Sequence, residues 1–368
     1  NGAIGNWDVS NITDLQAAFY DCRVFNQDLS AWDVSNVTNL IETFFWANEF
    51  NGDVSTWNTS NIRTLYRTFS RTAFNGDLSG WDVSNVVTLD NTFAISPFNN
   101  NSIANWDVSS VTDMRATFSS TPFNHDLSSW NTSGVTRMQS MFSSSGFDNG
   151  GVALNWNTSS VTDMQGMFYN CIFNQDISYW DVSNVTTMLG MFQDRGAKTN
   201  SNVNISGWTT TSLANTYQMF RGHSTNVQDL SAWDMSNNVN LQQMFEHGGC
   251  TFNPSSWNIQ GAVNLRGIFN QSQNSSGVVG LWTFNNWNIS QATDITSMLG
   301  TNVITTAAYD ATLIAWAAQA PTTVLTLNVN STQYTLGSAA EAARTSLINT
   351  YGWTITDGGG IEVPFTFT

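Results

Sequence analysis

The sequence has little charge, and positive charge is the scarcer kind. Charged residues account for 10% of its 368 residues and Lys198 is the single lysine, whereas ordinary soluble domains carry about 25% charged residues. The formal net charge of −16 repels phosphate and acidic lipid headgroups, which argues against nucleic acid as a partner. No run of about 18 apolar residues is present, so direct insertion into a membrane is not expected. A chain rich in Asn, Ser, Thr and aromatic residues, with almost no lysine, favours an extracellular or cell-surface location.

Residues suited to catalysis are also few. The three histidines, His125, His223 and His247, lack the spacing of metal ligands, no serine lies in a GxSxG motif, and no glycine-rich phosphate loop follows a predicted strand. Aspartates recur at regular intervals, which a single active site with paired carboxylates would not require. The sequence therefore predicts a protein that is not an enzyme and has no cofactor.

What the chain does contain is one motif repeated many times. FNQDLSAWDVSNVTNL at 25–40 recurs as FNGDLSGWDVSNVVTL at 74–89 and as FNQDISYWDVSNVTTM at 173–188. The motif tryptophan marks twelve copies, spaced 24 to 30 residues apart, at Trp7, Trp32, Trp57, Trp81, Trp106, Trp130, Trp156, Trp180, Trp208, Trp233, Trp257 and Trp287. A period of this length indicates a stacked repeat architecture in which no copy folds alone.

Apolar residues within a copy have fixed spacings that predict its local structure. Leu29, Trp32 and Val34 form an LxxWxV pattern, whose period of two predicts a short strand. Leu40 and Phe44 are four residues apart, which predicts a short helix or 3-10 turn on the return. The expected fold is a leucine-rich-repeat-like solenoid over residues 1–300, with about twelve short parallel strands on one face and the motif tryptophans inside.

The segment that follows, 301–360, lacks the motif and is expected to form an α/β cap on the open end of the array. Its predicted elements are helices near 309–319 and 338–350 and strands at 324–329 and 353–356. Residues 361–368 look like the start of a linker or of a following module.

The repeated motif F-N-x-D-[LI]-S-x-W-[DN]-[VT]-S-N-V-T-x-[LM] closely resembles the BspA-like surface repeats, a divergent branch of the leucine-rich repeats. The resemblance covers roughly residues 1–300 and extends to YDATLIAWAAQ at 309–319, which looks like the segment that often closes such arrays. It implies an interaction surface at a cell surface and no enzymatic activity. Copies 9 to 12 depart from the motif.

The three cysteines are too far apart along the array for disulfides. Cys22, Cys171 and Cys250 belong to copies 1, 7 and 10. At about 4.8 Å per stacked strand, the closest pair is separated by about 14 Å, beyond the Cα limit of about 7 Å for a bridge. We expect three free, buried thiols.

Two series of aspartates are predicted to stack along the array. The first follows the motif tryptophan and includes the candidate calcium ligands Asp8, Asp33, Asp82 and Asp107. The second precedes the predicted strand at Asp28, Asp53, Asp77, Asp126, Asp176 and Asp229. Stacked carboxylates repel one another and can recruit a divalent cation. Alternatively, the side chains bond loop backbone amides, the interpretation favoured for the second series. Asparagines in the F-N dipeptide, such as Asn26 and Asn51, are expected to bond along the array axis.

Partner contacts are expected where the copies differ. A basic cluster, Arg63, Arg67 and Arg71, is the only one in the first half of the chain. The insertions at 193–204, 221–228 and 270–283 contribute Arg195, Lys198, Arg221 and Trp282. A purely structural role for the insertion loops is the competing interpretation.

The leading functional hypothesis is a non-enzymatic extracellular adhesion or interaction scaffold that binds protein or glycan through the solenoid face and variable loops. The alternative is a structural subunit of a surface layer, sheath or extracellular filament that self-associates.

Overall fold

The structure is a computed structural model. It describes residues 2–194, 203–223, 226–250, 252–272 and 282–362. The chain divides into two compact units, Asn1–Asn184 (unit 1) and Val185–Thr368 (unit 2). The boundary that the sequence suggests at residue 300 stays a prediction.

Regular secondary structure within the described residues is sparse. Its helices are α1 (Thr306–Ala318) and α2 (Ala339–Asn349). Its strands are β1 (Asn226–Val227), β2 (Gly249–Cys250), β3 (Thr326–Asn328), β4 (Tyr334–Thr335), β5 (Thr354–Thr356) and β6 (Gly360–Ile361). They form three two-stranded parallel sheets, β1–β2, β3–β5 and β4–β6. Single 3-10 turns occur at Asn101–Ile103, Asn149–Gly151 and Pro254–Ser256.

The prediction of a leucine-rich-repeat-like solenoid with twelve parallel strands is therefore wrong. Around the motif tryptophan the chain forms tight turns, in which the backbone N–H groups of Trp32 and Val37 donate to the carbonyls of Leu29 and Val34 at 3.0 and 2.9 Å. These local bonds use donors that a strand ladder would need. In unit 1, the parallel bridges between neighbouring copies are isolated ones that join residues 14, 39, 64, 88, 113, 137 and 163 in sequence.

The return segment of each copy is not a helix either. In copy 2, the Thr43 N–H donates to the Leu40 carbonyl at 3.2 Å, whereas the next N–H, that of Phe44, donates to Thr68 of the following copy at 3.1 Å. Local bonds and bonds between copies alternate in this way along the segment. Glu42 has a φ of 53°, and this left-handed conformation cannot continue a right-handed helix. The spacing of four residues between Leu40 and Phe44 therefore reflects this alternating pattern of hydrogen bonds and not a helical turn.

From Trp32 onward the motif tryptophans of unit 1 lie inside, as the sequence predicts, and the prediction is wrong for Trp7. Trp57 is 1% exposed, and its ring stacks between those of Trp32 and Trp81, with centroid separations of 6.5 and 5.9 Å. Trp106 is buried as well, whereas Trp7 of copy 1 is 60% exposed. Two columns of stacked phenylalanines accompany the tryptophans, at residues 44, 69, 93, 118, 142 and 168 and at residues 25, 50, 74, 98, 123, 147 and 173.

Hydrogen bonds from the indoles explain why this position holds tryptophan and not phenylalanine. The Trp57 Nε1–H donates to the Leu29 carbonyl of the preceding copy at 3.0 Å. The same carbonyl accepts the backbone N–H of Trp32 at 3.0 Å, so both of its lone pairs are used. Equivalent indole bonds are made by Trp32, Trp81, Trp106, Trp130, Trp156 and Trp180 in unit 1 and by Trp233, Trp257 and Trp287 in unit 2. Each of these ten copies is thereby tied to the one before it.

In unit 2, the non-repeat segment contains the two helices and two strands that the sequence predicts there, as α1, β3, α2 and β5. Thr305 and Ser338 cap the helices by accepting backbone N–H groups. On α1, the Trp316 Nε1–H donates to the Phe284 carbonyl at 3.1 Å, and Gln319, the C-cap of α1, donates its Nε2–H to the Trp287 carbonyl at 2.8 Å. Helix α1 thus covers the twelfth copy and satisfies its backbone acceptors.

All three cysteines are free, as predicted. Cys171 and Cys250 are buried, but the expectation of burial is wrong for Cys22, which is exposed. The Cys171 thiol lies against the preceding copy and donates to the Phe147 carbonyl at 3.3 Å, whereas Cys22 belongs to the first copy.

Candidate interaction surface

The first aspartate series forms turns. The Asp33 carboxylate accepts the backbone N–H of Ser35 at 3.0 Å, and Asp8, Asp82 and Asp107 accept that of the serine two residues ahead in the same way. The hydrogen bonds from the Ser35 side chain and backbone N–H lower the pKa of Asp33. The four candidate calcium ligands are thus turn residues placed one to a copy. Among the described residues, no group of three or more His, Cys, Asp or Glu side chains is arranged to hold a metal ion.

The second aspartate series and the F-N asparagines also bond the backbone. Asp28 Oδ1 accepts the N–H of Ser30 at 2.8 Å, and the other members of the series bond the residue two positions ahead. Asn26 Oδ1 accepts the N–H of Asn51 in the next copy at 2.9 Å, and Asn51 in turn accepts that of Asn75 at 2.8 Å. The constant polar positions of the motif therefore hold the backbone together.

The variable residues of copies 1 to 3 gather into one patch, which we call the Arg–aromatic surface. Its members come from the return segments, whose backbone is nearly the same in every copy. They are Tyr20, Arg23, Phe45, Trp46, Tyr66, Arg67 and Arg71.

Guanidinium groups and rings alternate across this surface. The Arg71 guanidinium carbon lies 4.4 Å from the centroid of the Trp46 ring, and that of Arg23 lies 5.8 Å from it. Arg67 lies 5.1 Å from the Phe45 ring and 4.9 Å from the Tyr66 ring. Contacts between a guanidinium and an aromatic face are attractive and hold both groups in place.

Charges on the Arg–aromatic surface are only partly balanced. Arg67 pairs with Glu42 at 3.1 Å and Arg23 pairs with Asp21 at 2.7 Å. Within the described residues, no carboxylate lies within 4.0 Å of Arg71. The patch therefore presents an unpaired guanidinium on a chain whose net charge is −16.

The backbone at Trp46 makes this residue a costly choice for the fold. Its φ is 64°, a left-handed conformation that disfavours bulky side chains. Asp21 and Asn170, which are types that tolerate it better, occupy the equivalent positions in copies 1 and 7, and Ser120 and Ser144 occupy those in copies 5 and 6. The stacking of copies does not require tryptophan here.

The residues predicted as partner contacts lie in different surroundings. Arg67 and Arg71 belong to the Arg–aromatic surface, whereas Arg63 is exposed and reaches Asn85 Oδ1 at 3.4 Å. Arg195 and Lys198 lie outside the described residues. Arg221 pairs with Glu246 at 2.5 Å. Trp282 is fully buried, with its indole N–H donated to the Phe252 carbonyl at 2.9 Å, and so is not accessible to a partner.

The aromatic members of the surface were missed by the sequence analysis. Phe45 and Trp46 fill return positions that hold Ser143 and Ser144 in copy 6. Comparing the copies position by position, and not only by their shared motif, would have revealed this difference.

The fold and this surface define a repeat protein whose copies share a backbone and an interior and differ on the outside. A family model described as "Mycoplasma protein of unknown function, DUF285" matches residues 1–101, 73–152, 146–254, 195–316 and 252–334. Since these matches together span residues 1–334, the chain belongs to this repeat family. The match does not single out the leucine-rich-repeat class. No curated protein and no solved structure matches the chain.

In the part of the chain that the structure describes, no helix is both long and apolar enough to cross a bilayer. His125 Nε2 lies 3.0 Å from the Asn99 carbonyl oxygen of the preceding copy.

Proposed function

We propose that the chain is a non-enzymatic interaction scaffold, located outside the cell or at its surface, that binds a protein or glycan partner through the Arg–aromatic surface. The observation that carries this proposal is the set of guanidinium–ring contacts concentrated on copies 1 to 3. Serines at the matching return positions of copies 5 and 6 support the same stack. The arginines and aromatic residues are therefore additional to what folding requires.

The chemistry of the patch suits a protein partner best. Tryptophan, tyrosine and arginine are the residue types that most often dominate binding energy at protein interfaces. Trp46 and Arg71 are held against each other before binding, which reduces the entropy that association would cost. An acidic group on the partner would pair with Arg71.

The location outside the cell rests on two supports from the sequence. One is the composition, with a single lysine and abundant Asn, Ser and Thr. The other is the resemblance of the repeated motif to BspA-like surface repeats, which favours a role in adhesion.

The test is binding of the full chain to arrays of extracellular proteins and glycans, with the double variant Trp46→Ser, Arg71→Ser. Trp46 and Arg71 fill the same return position in copies 2 and 3, and serine fills it in copies 5 and 6. The variant should therefore keep its melting temperature and lose affinity for the partner by about tenfold or more, equivalent to about 1.4 kcal/mol. The matched control, Ser143→Ala with Ser144→Ala in copy 6, should bind as the parent does.

Unchanged binding by the double variant would contradict the proposal. Ordered polymers of the purified full chain in negative-stain micrographs, formed equally by parent and variant, would favour the alternative of a structural subunit.

A further inference from the structure

A second candidate site lies between copies 7 and 8 of unit 1, apart from the residues of the Arg–aromatic surface. It is a groove of about 630 Å³ lined by Asn155, Asn157, Asp176, Tyr179 and Asp181, among others. This volume falls in the range of sites for small ligands, about 300 to 1,000 Å³.

The groove has an aromatic wall because Tyr179 points outward. The Tyr179 side chain is 74% exposed, whereas the next residue, Trp180, is buried and donates its indole N–H to the Leu154 carbonyl at 2.8 Å. Small or polar residues take the position of Tyr179 in the earlier copies, namely Asn6, Ala31, Thr56, Gly80, Asn105, Ser129 and Asn155. Since smaller residues serve there, the stack of copies does not need this ring.

Both hydrogen-bond donors and acceptors face the groove. Asp176 Oδ1 accepts the N–H of Ser178 at 2.9 Å, and Asn157 Oδ1 accepts that of Ser159 at 3.1 Å. Within the described residues, these bonds leave Asp176 Oδ2 and Asn157 Nδ2 without a protein partner. Asp176 Oδ2 is an acceptor, and Asn157 Nδ2 is a donor. Hydrogen bonds from Ser183 lower the pKa of Asp181, so this side chain is a second acceptor.

An equivalent groove between copies 1 and 2 shows what the side chains add. It has a volume of about 350 Å³, with Ala31 in the place of Tyr179. The Gln27 side chain bonds there to the backbone of copy 1, donating to Gly2 at 2.6 Å and accepting from Ile4 at 3.1 Å. The larger volume and the ring are therefore features of the particular residues in copies 7 and 8.

We propose that the groove between copies 7 and 8 binds an uncharged saccharide, with the C–H face of one sugar ring on Tyr179 and its hydroxyls bonded to Asp176, Asp181 and Asn157. Each sugar hydroxyl is a donor and an acceptor at once, which matches the mixed carboxylate and amide lining. The negative face of an aromatic ring attracts the weakly positive C–H groups of a sugar. The inference does not depend on the Arg–aromatic surface.

Other ligand classes fit less well. Acidic saccharides would be repelled by Asp176 and Asp181. A basic peptide would satisfy the carboxylates and the ring by charge pairing and cation–π attraction. Its lysine and arginine side chains offer only donors, so it would need a backbone carbonyl placed at the Asn157 amide as well.

The test is saturation-transfer difference NMR on the full chain, with cellobiose, maltose, lactose and chitobiose as the probes. We expect at least one disaccharide to bind with a Kd on the order of 1 mM and with little change between low and high salt, because no net charge is neutralised. Tyr179→Ala should weaken this binding about tenfold or more.

Two control variants make the test specific. Trp7→Ala removes another exposed aromatic side chain, at 60% exposure, from outside both proposed sites, and should leave saccharide binding unchanged. Asp176→Asn keeps the turn, since Asn253 makes the same bond to Ser255 N–H at 3.1 Å, and it should weaken saccharide binding less than Tyr179→Ala does.

Three results would overturn the proposal. The first is the absence of transfer from every disaccharide, and the second is equal losses of saccharide affinity from Trp7→Ala and Tyr179→Ala. The third is salt-sensitive binding of an oligolysine peptide that competes with the sugars, is tighter than any of them and is abolished by Asp176→Asn. None of these results bears on Trp46 and Arg71, so this proposal and the proposed function can fail separately.

Discussion

Replacing Trp57 with phenylalanine tests whether indole hydrogen bonds tie neighbouring copies together. The indole of Trp57 is 1% exposed, stacks between two other indoles and donates to the Leu29 carbonyl at 3.0 Å. Phenylalanine keeps a ring in the column and removes the donor. The backbone conformation does not have to change.

The expected cost has two parts. Loss of the hydrogen bond costs about 1 kcal/mol, because the Leu29 carbonyl keeps its bond to the Trp32 backbone N–H and is not left without a partner. Loss of buried ring atoms and the space they leave costs about 1 to 2 kcal/mol more. Trp57→Phe should therefore lower the free energy of unfolding by about 2 to 3 kcal/mol.

Trp7→Phe is the matched control, since Trp7 occupies the same motif position but is 60% exposed. It should cost less than about 0.5 kcal/mol, the usual range for a surface substitution. Urea unfolding of the full chain, followed by circular dichroism, measures both variants. The two units need not unfold together. The two variants should therefore be compared in the unfolding transition whose urea midpoint Trp57→Phe lowers. Equal effects of the two variants would refute the stabilising role of the indole bonds.

Four further outcomes follow from the same structure. Thr68→Val should lower the free energy of unfolding by about 1 kcal/mol in urea titrations, because its buried hydroxyl donates to a leucine carbonyl of the preceding copy at 2.9 Å. Ellman's reagent should titrate one thiol in the native chain, the exposed Cys22, and three after unfolding, since burial shields Cys171 and Cys250 and raises the pKa of the latter. Folding lowers the pKa of Asp33 from 3.8, so its ionised carboxylate contributes to stability fully above the unfolded pKa, and this contribution is lost as the pH falls through the folded pKa. The urea concentration at the unfolding midpoint should therefore decrease as the pH is lowered below about 4, and it should decrease less steeply in Asp33→Asn. Calcium should raise the melting temperature no more than sodium at matched ionic strength, because the described residues form no cluster of metal ligands.

The sequence predicts the repeat and its interior well but the backbone poorly. Constant spacing around Trp32 and Trp57 correctly places both rings inside, since only stacking can bury them. The LxxWxV pattern suggests a strand, yet a series of tight turns also alternates side chains between inside and outside. The left-handed conformation of Glu42 is what excludes a helix on the return. Glycine marks this position in only some copies, as Gly166, Gly190 and Gly267, whereas residues as different as Ala17 and Asn91 adopt the same conformation in others.

The candidate sites were only partly predictable, for a different reason. Arg67 and Arg71 stand out in a sequence with eleven basic residues. Tyr179 and Trp46 do not, because in a chain with 13% aromatic residues most rings serve the interior. Exposure separates the two groups, and it depends on which return or turn position a residue occupies.

A repeat built in this way separates stability from recognition. The bonds that join copies come from backbone groups, buried indoles and turn-forming Asp, Asn and Thr side chains, so exposed return positions can change without disturbing the stack. Substitutions at such positions in distant copies share no partners, and their effects on binding should therefore add. Because of this independence, unit 1 can carry two different surfaces on copies with similar backbones. One, at copies 1 to 3, presents an unpaired guanidinium, and the other, at copies 7 and 8, is a groove lined by carboxylates. Opposite charge at the two places means that an acidic group, which would pair with Arg71, is disfavoured at the groove.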